Sequence, residues 1–150
     1  MISDILKTLT INTDGGSRGN PGPAAYAFVV KENGEVIYEQ EETIGIATNN
    51  KAEYMGVMKA FKWLIEMGPV SPPISIKFIL DSELVVRQLT GVYKIKDKNI
   101  MQYVKEIKEN EKKLGIPVSY TAVRRADNWE ADALVNQALD GENVPVSHQA

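Results

Sequence analysis

Four acidic side chains stand where their types and spacing could do chemistry. Asp14 closes the alternating run "TLTINTD" before the loop "GGSRGNPG", and Asp81 closes the β-branched run "ISIKFIL". Glu53 directly precedes Tyr54, the first residue of an apolar helical face, and Asp132 lies between Ala131 and Leu134. Both therefore border a buried face instead of opposing it. In an open α/β sheet, active sites gather at the carboxyl ends of the strands. If the strands that end at Asp14 and Asp81 are neighbours, their carboxylates meet there. Clustered like charges either hold on to protons or recruit a cation. The chain has no cysteine, and its one histidine, His148, lies two residues from the C-terminus. The cation must then be one that prefers oxygen: Mg²⁺, with Mn²⁺ as a substitute. Two such ions held ~3.5 to 4 Å apart would activate a water and stabilise the leaving oxygen of a phosphodiester. Taken singly, the acids have plainer readings. A strand-end Asp forms turns, Glu53 suits the positive end of a helix dipole, and Asp132 fits the first turns of a helix capped by Asn128. Their joint placement is what points to phosphoryl chemistry.

The elements that must position these acids can be read from periodicity. Leu9 and Ile11 alternate with Thr8, Thr10 and Asn12, which predicts a strand over residues 7–14 ending at Asp14. Residues 24–30 and 35–45 read as two more strands joined at Asn33-Gly34, a strong hairpin signal, giving an antiparallel meander. Tyr54, Val57, Met58, Phe61, Leu64 and Ile65 share one helical face, stopped near Gly68-Pro69. Residues 74–80 suit a central strand buried on both faces. "SELVVRQLTG" reads as a short helix with Ser82 as N-cap and Gly91 past its end. Another helix spans about 99–114, a strand 117–123, and Ala131, Leu134, Val135 and Ala138 mark a last helix. The order βββαβααβα predicts a mixed sheet with parallel crossovers, an α/β domain.

At 150 residues and 43% hydrophobic content the chain is expected to fold as a single domain over residues 1–140, with 141–150 a flexible tail. It shows no secretory leader and no apolar run of membrane-spanning length, so a soluble, cytoplasmic protein with no membrane partner is expected. Seventeen basic residues against 20 acidic ones give a net charge of -3 and no global pull toward nucleic acid. Positive charge is concentrated locally in "YKIKDK" (93–98) and "VRR" (123–125). Neither GxGxxG nor a Gly-Lys-Ser/Thr phosphate loop occurs.

The stretches "TDGGSRGNPGPAAYAFVV", "TNNKAEYMGVMKAF", "LDSELVVRQLTG" and "NWEADALVNQAL", in that order, resemble the type 1 ribonuclease H family (ribonuclease HI) from about residue 7 to 140. The resemblance implies the ribonuclease H-like fold, a five-stranded mixed sheet of three antiparallel plus two parallel strands with helices on both sides. It also implies endonucleolytic hydrolysis of the RNA strand of an RNA–DNA hybrid, with two Mg²⁺ ions. Asp14, Glu53, Asp81 and Asp132 match the family's catalytic metal-binding carboxylates. Asp14 would bridge both ions, Glu53 and Asp81 would complete one site, and Asp132 would hold the other. Gly15, Gly16 and Ser17 would let backbone groups approach the RNA strand, since glycine has no side chain in the way. Asn20, Asn49 and Asn50 match residues that read the hybrid, and an amide suits a 2′-hydroxyl because each both donates and accepts. Thr48 matches a residue that grips a phosphate of the DNA strand.

Three features depart from many relatives. Glu83 stands where glutamine is common, and an ionised carboxylate cannot donate a hydrogen bond. The connection before the last helix is only "RRADN", without the histidine some relatives carry, which leaves Arg124, Arg125 or Asp127 as stand-ins. The chain reads as a compact form without the basic protrusion or the N-terminal hybrid-binding domain of other members. Lys94 and Lys96, with Lys98, alternate along an extended segment that could line a channel for the DNA backbone. Modest affinity and a shallow salt slope are expected from so few cations, as is a monomer with no obligatory protein partner. The alternatives are a non-catalytic hybrid-binding module of the same fold and a 3′-5′ exonuclease of the same superfold.

Overall fold

The computed structural model describes residues 7–142. Three strands come first: β1 (Thr8–Ser17), β2 (Gly22–Glu32) and β3 (Glu35–Ala47). Helix α1 (Asn49–Glu66), strand β4 (Ser75–Leu80) and helices α2 (Glu83–Leu89) and α3 (Lys98–Leu114) follow. Strand β5 (Val118–Ala122), a 3₁₀ turn (Arg125–Asn128) and helix α4 (Trp129–Glu142) complete the order. The five strands form one sheet in the order β3-β2-β1-β4-β5. β1, β2 and β3 pair antiparallel, while β4 pairs parallel to both β1 and β5. This is the expected α/β architecture, a mixed five-stranded sheet with helices on both sides.

Local chemistry accounts for the boundaries. Asn33 and Gly34 both have positive φ, 53° and 81°, the pair a two-residue hairpin turn demands. Thr48 caps α1 by accepting from the Lys51 N–H, Ser82 caps α2, and Asp97 caps α3 by accepting from the Asn99 and Ile100 N–H groups at 2.7 and 3.1 Å. Gly115 ends α3 in the left-handed region at φ 68°.

The two faces of the sheet are packed differently. On one face Tyr26, Phe28, Ile76, Phe78 and Leu80 meet Tyr54, Val57, Phe61 and Leu64 of α1, together with Val85 and Leu89 of α2 and Ile100 and Ile107 of α3. Phe61, Phe78 and Tyr120 stack in series with ring centroids 5.0 and 5.4 Å apart. On the other face the small side chains of Ala25 and Ala27 let α4 lie close, through Val135 and Leu139.

Four sequence expectations need correction. β1 does not end at Asp14: its parallel ladder with β4 stops at Asn12↔Ile79, but the antiparallel ladder with β2 runs on to Ser17↔Ala24. β4 is buried through Ile76, Phe78 and Leu80 while Lys77 is exposed, so only one of its faces is fully covered. Asn128 does not cap the last helix; it belongs to the 3₁₀ turn and bonds to β1 instead. α4 continues through Gly141 and Glu142, two residues into the stretch read as a tail, and residues 143–150, with His148, lie outside the described residues.

Candidate active site

Parallel register brings the first two acids together. Continuing the β1–β4 pairing two residues beyond Asn12↔Ile79 sets Asp14 level with Asp81, just where β4 ends and β1 loses its neighbour on that side. Helix α1 supplies the third acid through an unusually close approach to β1. A Cβ on Gly15 would lie 2.2 Å from the Ala52 carbonyl carbon and oxygen, and one on Gly56 would lie 3.0 Å from the Asp14 carbonyl oxygen. Glycine is required at Gly15 because main chain meets main chain there. Around Gly16 the nearest atoms are Val135 Cγ1 at 3.9 Å and Asn49 Oδ1 at 4.0 Å, so it is open on the cavity side.

The result is a trio: one carboxylate oxygen each from Asp14, Glu53 and Asp81 lies within 4.8 Å of the others. Asp14 is 5% exposed. Burial, followed by the charge of Asp81, pushes its carboxyl up to about 7. Burial and the charges of Asp14 and Asp81 hold Glu53 well above the ordinary carboxylate range. Burial and the charge of Asp132 raise Asp81, against the opposing pull of Arg125. Glu53 Oε2 is buried without a hydrogen-bond partner. An all-oxygen donor set with an unpaired buried oxygen, its carboxyls raised by burial and by neighbouring negative charge, fits a hard divalent cation.

Asp132 lines the same cavity, about 520 Å³, but stands outside the trio. Its Oδ1 accepts from Arg125 Nη2 at 3.0 Å and Nε at 3.2 Å. Arg125 thus supplies a positive charge at the rim, and Arg124 pairs with Asp127 nearby.

The asparagines and Ser17 form a chain of bonds around the cavity mouth. Asn49 Oδ1 accepts from the Ser17 N–H at 2.8 Å and lies 3.0 Å from Ser17 Oγ, while Asn20 Oδ1 accepts from the Asn49 N–H at 3.0 Å. Gly15, Gly16, Ser17 and Asn49 line the carboxylate cavity, whereas Asn20, Thr48 and Asn50 line an adjoining hollow beside α1. Glu83 sits in a different hollow, and its carboxylate is engaged by Arg87 one turn along α2. Lys94 and Lys96 are exposed on the connection between α2 and α3, with Ile95 between them turned onto the core. Their alternation is as expected, but they lie outside the carboxylate cavity.

Gly56 and the Asn12–Asn128 pair are positioning residues that sequence reasoning missed. Asn12 Nδ2 donates to Asn128 Oδ1 at 3.0 Å, and Asn128 Nδ2 donates to the Thr13 carbonyl at 2.9 Å, both residues being buried. This pair ties the 3₁₀ turn, and with it the start of α4 and Asp132, to the strand that carries Asp14. The sequence carried no signal for Asn12, which stands in the polar phase of the alternation with Thr8 and Thr10.

Residues 6–140 match the family model described as RNase H. A bifunctional protein of Mycobacterium tuberculosis is 36% identical over 134 residues, 88% of this chain and 35% of that protein. Ribonuclease HI of Halobacterium salinarum is 42% identical over 129 residues, 85% of this chain and 62% of that protein. The chain therefore spans between about a third and three-fifths of the length of these relatives. Among solved structures, RNase H1 of Halobacterium salinarum superposes with a TM-score of 0.81 at 38% identity, covering 89% of this chain and 98% of that one. LC11-RNase H1, in complex with an RNA/DNA hybrid, superposes with a TM-score of 0.83 at 33% identity, covering 91% of this chain and 99% of that one.

Proposed function

The chain belongs to the RNase H family, and from that premise we propose that it is an endoribonuclease that hydrolyses the RNA strand of RNA–DNA hybrids with two Mg²⁺ ions. The observation that carries this reading is the trio of Asp14, Glu53 and Asp81, with Asp14 buried and Asp81 half-buried, whose oxygens converge within 4.8 Å and include the unpaired Glu53 Oε2. Asp14, Glu53 and Asp81 would hold metal, and Asp132 would join Asp14 in holding the second ion. When bound, the two ions supply the charge that activates a water and stabilises the leaving oxygen of the phosphodiester.

The chain's own groups do the rest. Asp14, with its carboxyl near pH 7 when metal-free, gives up its proton readily once a cation is offered. Asn20 and Asn49 use their amide oxygens internally, which leaves their Nδ2 donors for the hybrid, where a 2′-hydroxyl can accept. Ser17, Gly16 and Asn50 lie along the same path, and Thr48, Lys94 and Lys96 face the DNA strand. Glu83, tied to Arg87, contributes through that pair and not as a free hydrogen-bond partner. The proposal takes residues 1–140 as one ribonuclease domain, acting as a cytoplasmic monomer without an obligatory protein partner. Among the described residues no helix is long and apolar enough to cross a membrane.

The test is to incubate the protein with a labelled RNA–DNA hybrid, and with matched RNA and DNA duplexes, in Mg²⁺, in Mn²⁺ and in chelator. Metal-dependent cutting confined to the hybrid's RNA strand, and lost in Asp81→Asn, is the expected result. Binding without cutting in either metal would make the chain a hybrid-binding module instead.

A further inference from the structure

Trp129 opens α4 with 64% of its surface exposed. The chain's other tryptophan, Trp63, is 8% exposed and stacks on Tyr38 with ring centroids 4.9 Å apart. Exposed Tyr93 has the Arg87 guanidinium over its ring. Among the described residues, Trp129 has neither an aromatic neighbour nor a cation over its ring. Of the other exposed apolar side chains, Val36, Ile37, Met67, Val70 and Ile74 gather at the opposite end of the sheet, around the β2–β3 hairpin and the start of β4, while Ile46 ends β3 at the carboxylate end and Leu84 and Val92 belong to α2 and the segment after it.

Helical spacing says where the indole stands. Residues three, four and seven apart share a stripe, which groups Trp129 with Asp132, Asn136 and Asp140. Asp132 and Asn136 line the carboxylate cavity, and Asp140 pairs with Arg18, which lines it too. Trp129 begins that stripe one turn before Asp132, ~4.5 Å of axial rise away. Arg125, bonded to Asp132, and Arg124 precede it in the chain, and their side chains are 74% and 85% exposed.

A flat apolar plate beside two guanidiniums suits a nucleotide strand, with phosphate for the cations and an apolar face for the indole. In a duplex the base faces are covered by their neighbours, and the apolar surface left along each strand is its sugars. Resting on the ribonuclease H reading above, we propose that Trp129 packs its indole against a sugar of the strand that enters the carboxylate site. With a rise of ~3.4 Å per nucleotide along one strand, the contact falls about one nucleotide from the phosphate at Asp132. Such a contact forms in ground and transition states alike, so it acts on KM more than on kcat.

The experiment titrates labelled RNA–DNA hybrid into the Asp81→Asn protein in Mg²⁺ and reads tryptophan emission and hybrid anisotropy together. Hybrid should quench the emission, and the quench should vanish when Trp129→Phe is added while affinity stays within about threefold. Trp129→Ala should weaken binding about tenfold. In the cleaving protein it should raise KM by a similar factor and leave kcat within about twofold. Unchanged affinity and KM in Trp129→Ala would overturn the contact while leaving the ribonuclease reading intact. A dimer of the free protein that Trp129→Ala dissolves would also overturn it, by placing the indole between copies. If the unsubstituted protein neither binds nor cuts hybrid, both readings fall together.

Discussion

The two ends of the carboxylate cluster handle negative charge in opposite ways. Asp14, Glu53 and Asp81 converge where α1 crosses β1, and burial, with neighbouring negative charge, raises all three above the ordinary carboxylate values. Asp132, at the rim, is met by the exposed guanidinium of Arg125. A rim acid can be balanced by a side chain that stays in water, because a guanidinium there keeps most of its hydration. The buried Asp14 cannot, because carrying an arginine inward would add its own desolvation cost. Without metal, the rim acid is balanced by a cation of the chain itself, and the inner acids are not.

The strongest way to break this contrast is Asp14→Asn, which removes charge from the interior alone. Hybrid cleavage is expected to fall at least about 10³-fold, as measured by single-turnover cutting. The metal-free variant should melt higher than the parent protein at pH 8. Gly15→Ala attacks the packing that forces the trio together. With the added carbon 2.2 Å from α1 main chain, the helix must shift, and urea unfolding should show a loss of about 3 kcal/mol. Full stability in that variant would mean the close approach is not what sets the spacing.

A pH series on the parent protein sharpens the same point. Asp14 titrates near 7 when folded against an ordinary 3.8, so the folded state holds the extra proton across that window. Stability in chelator should then be greatest at the acid end of the window and decline by about 4 kcal/mol as pH rises toward 8. Mg²⁺ at pH 8 should restore it, and a flat profile would sink the account of the interior. The smallest effect belongs to the rim. Arg125→Gln should change stability by less than about 0.5 kcal/mol, since the pair is exposed. It should raise the Asp81 titration seen by NMR, because Arg125 now lowers it.

What was legible in the sequence follows the range of the interactions concerned. The face of α1 from Tyr54 to Leu64, the Asn33-Gly34 turn and the cap at Ser82 depend on near neighbours and stand in the structure as read, while Ile65, at the edge of the α1 face, is exposed. The fate of Asn128 depended on a partner 116 residues away, so a plausible local cap turned out to be a cross-link to Asn12. The reach of β1 past Asp14 was hidden for a similar reason. Gly15, Gly16 and Ser17 have little strand propensity of their own and are held extended by pairing with β2. Sequence spacing placed Asp132 near the other acids but could not tell which of the arginines in "VRR" would reach it.

The contact of Gly15 with the main chain of Ala52 also bears on which ions the protein can tell apart. The anchor points of Asp14 and Glu53 are held by backbone against backbone, without intervening side chains that could change rotamer to widen the gap. A gauge of that kind favours an ion of small radius and strict octahedral demand over one that tolerates seven or eight loose ligands. Discrimination of Mg²⁺ from Ca²⁺ would then be a property of how a helix lies on a strand, and enlarging Gly56 would retune it without touching a single carboxylate.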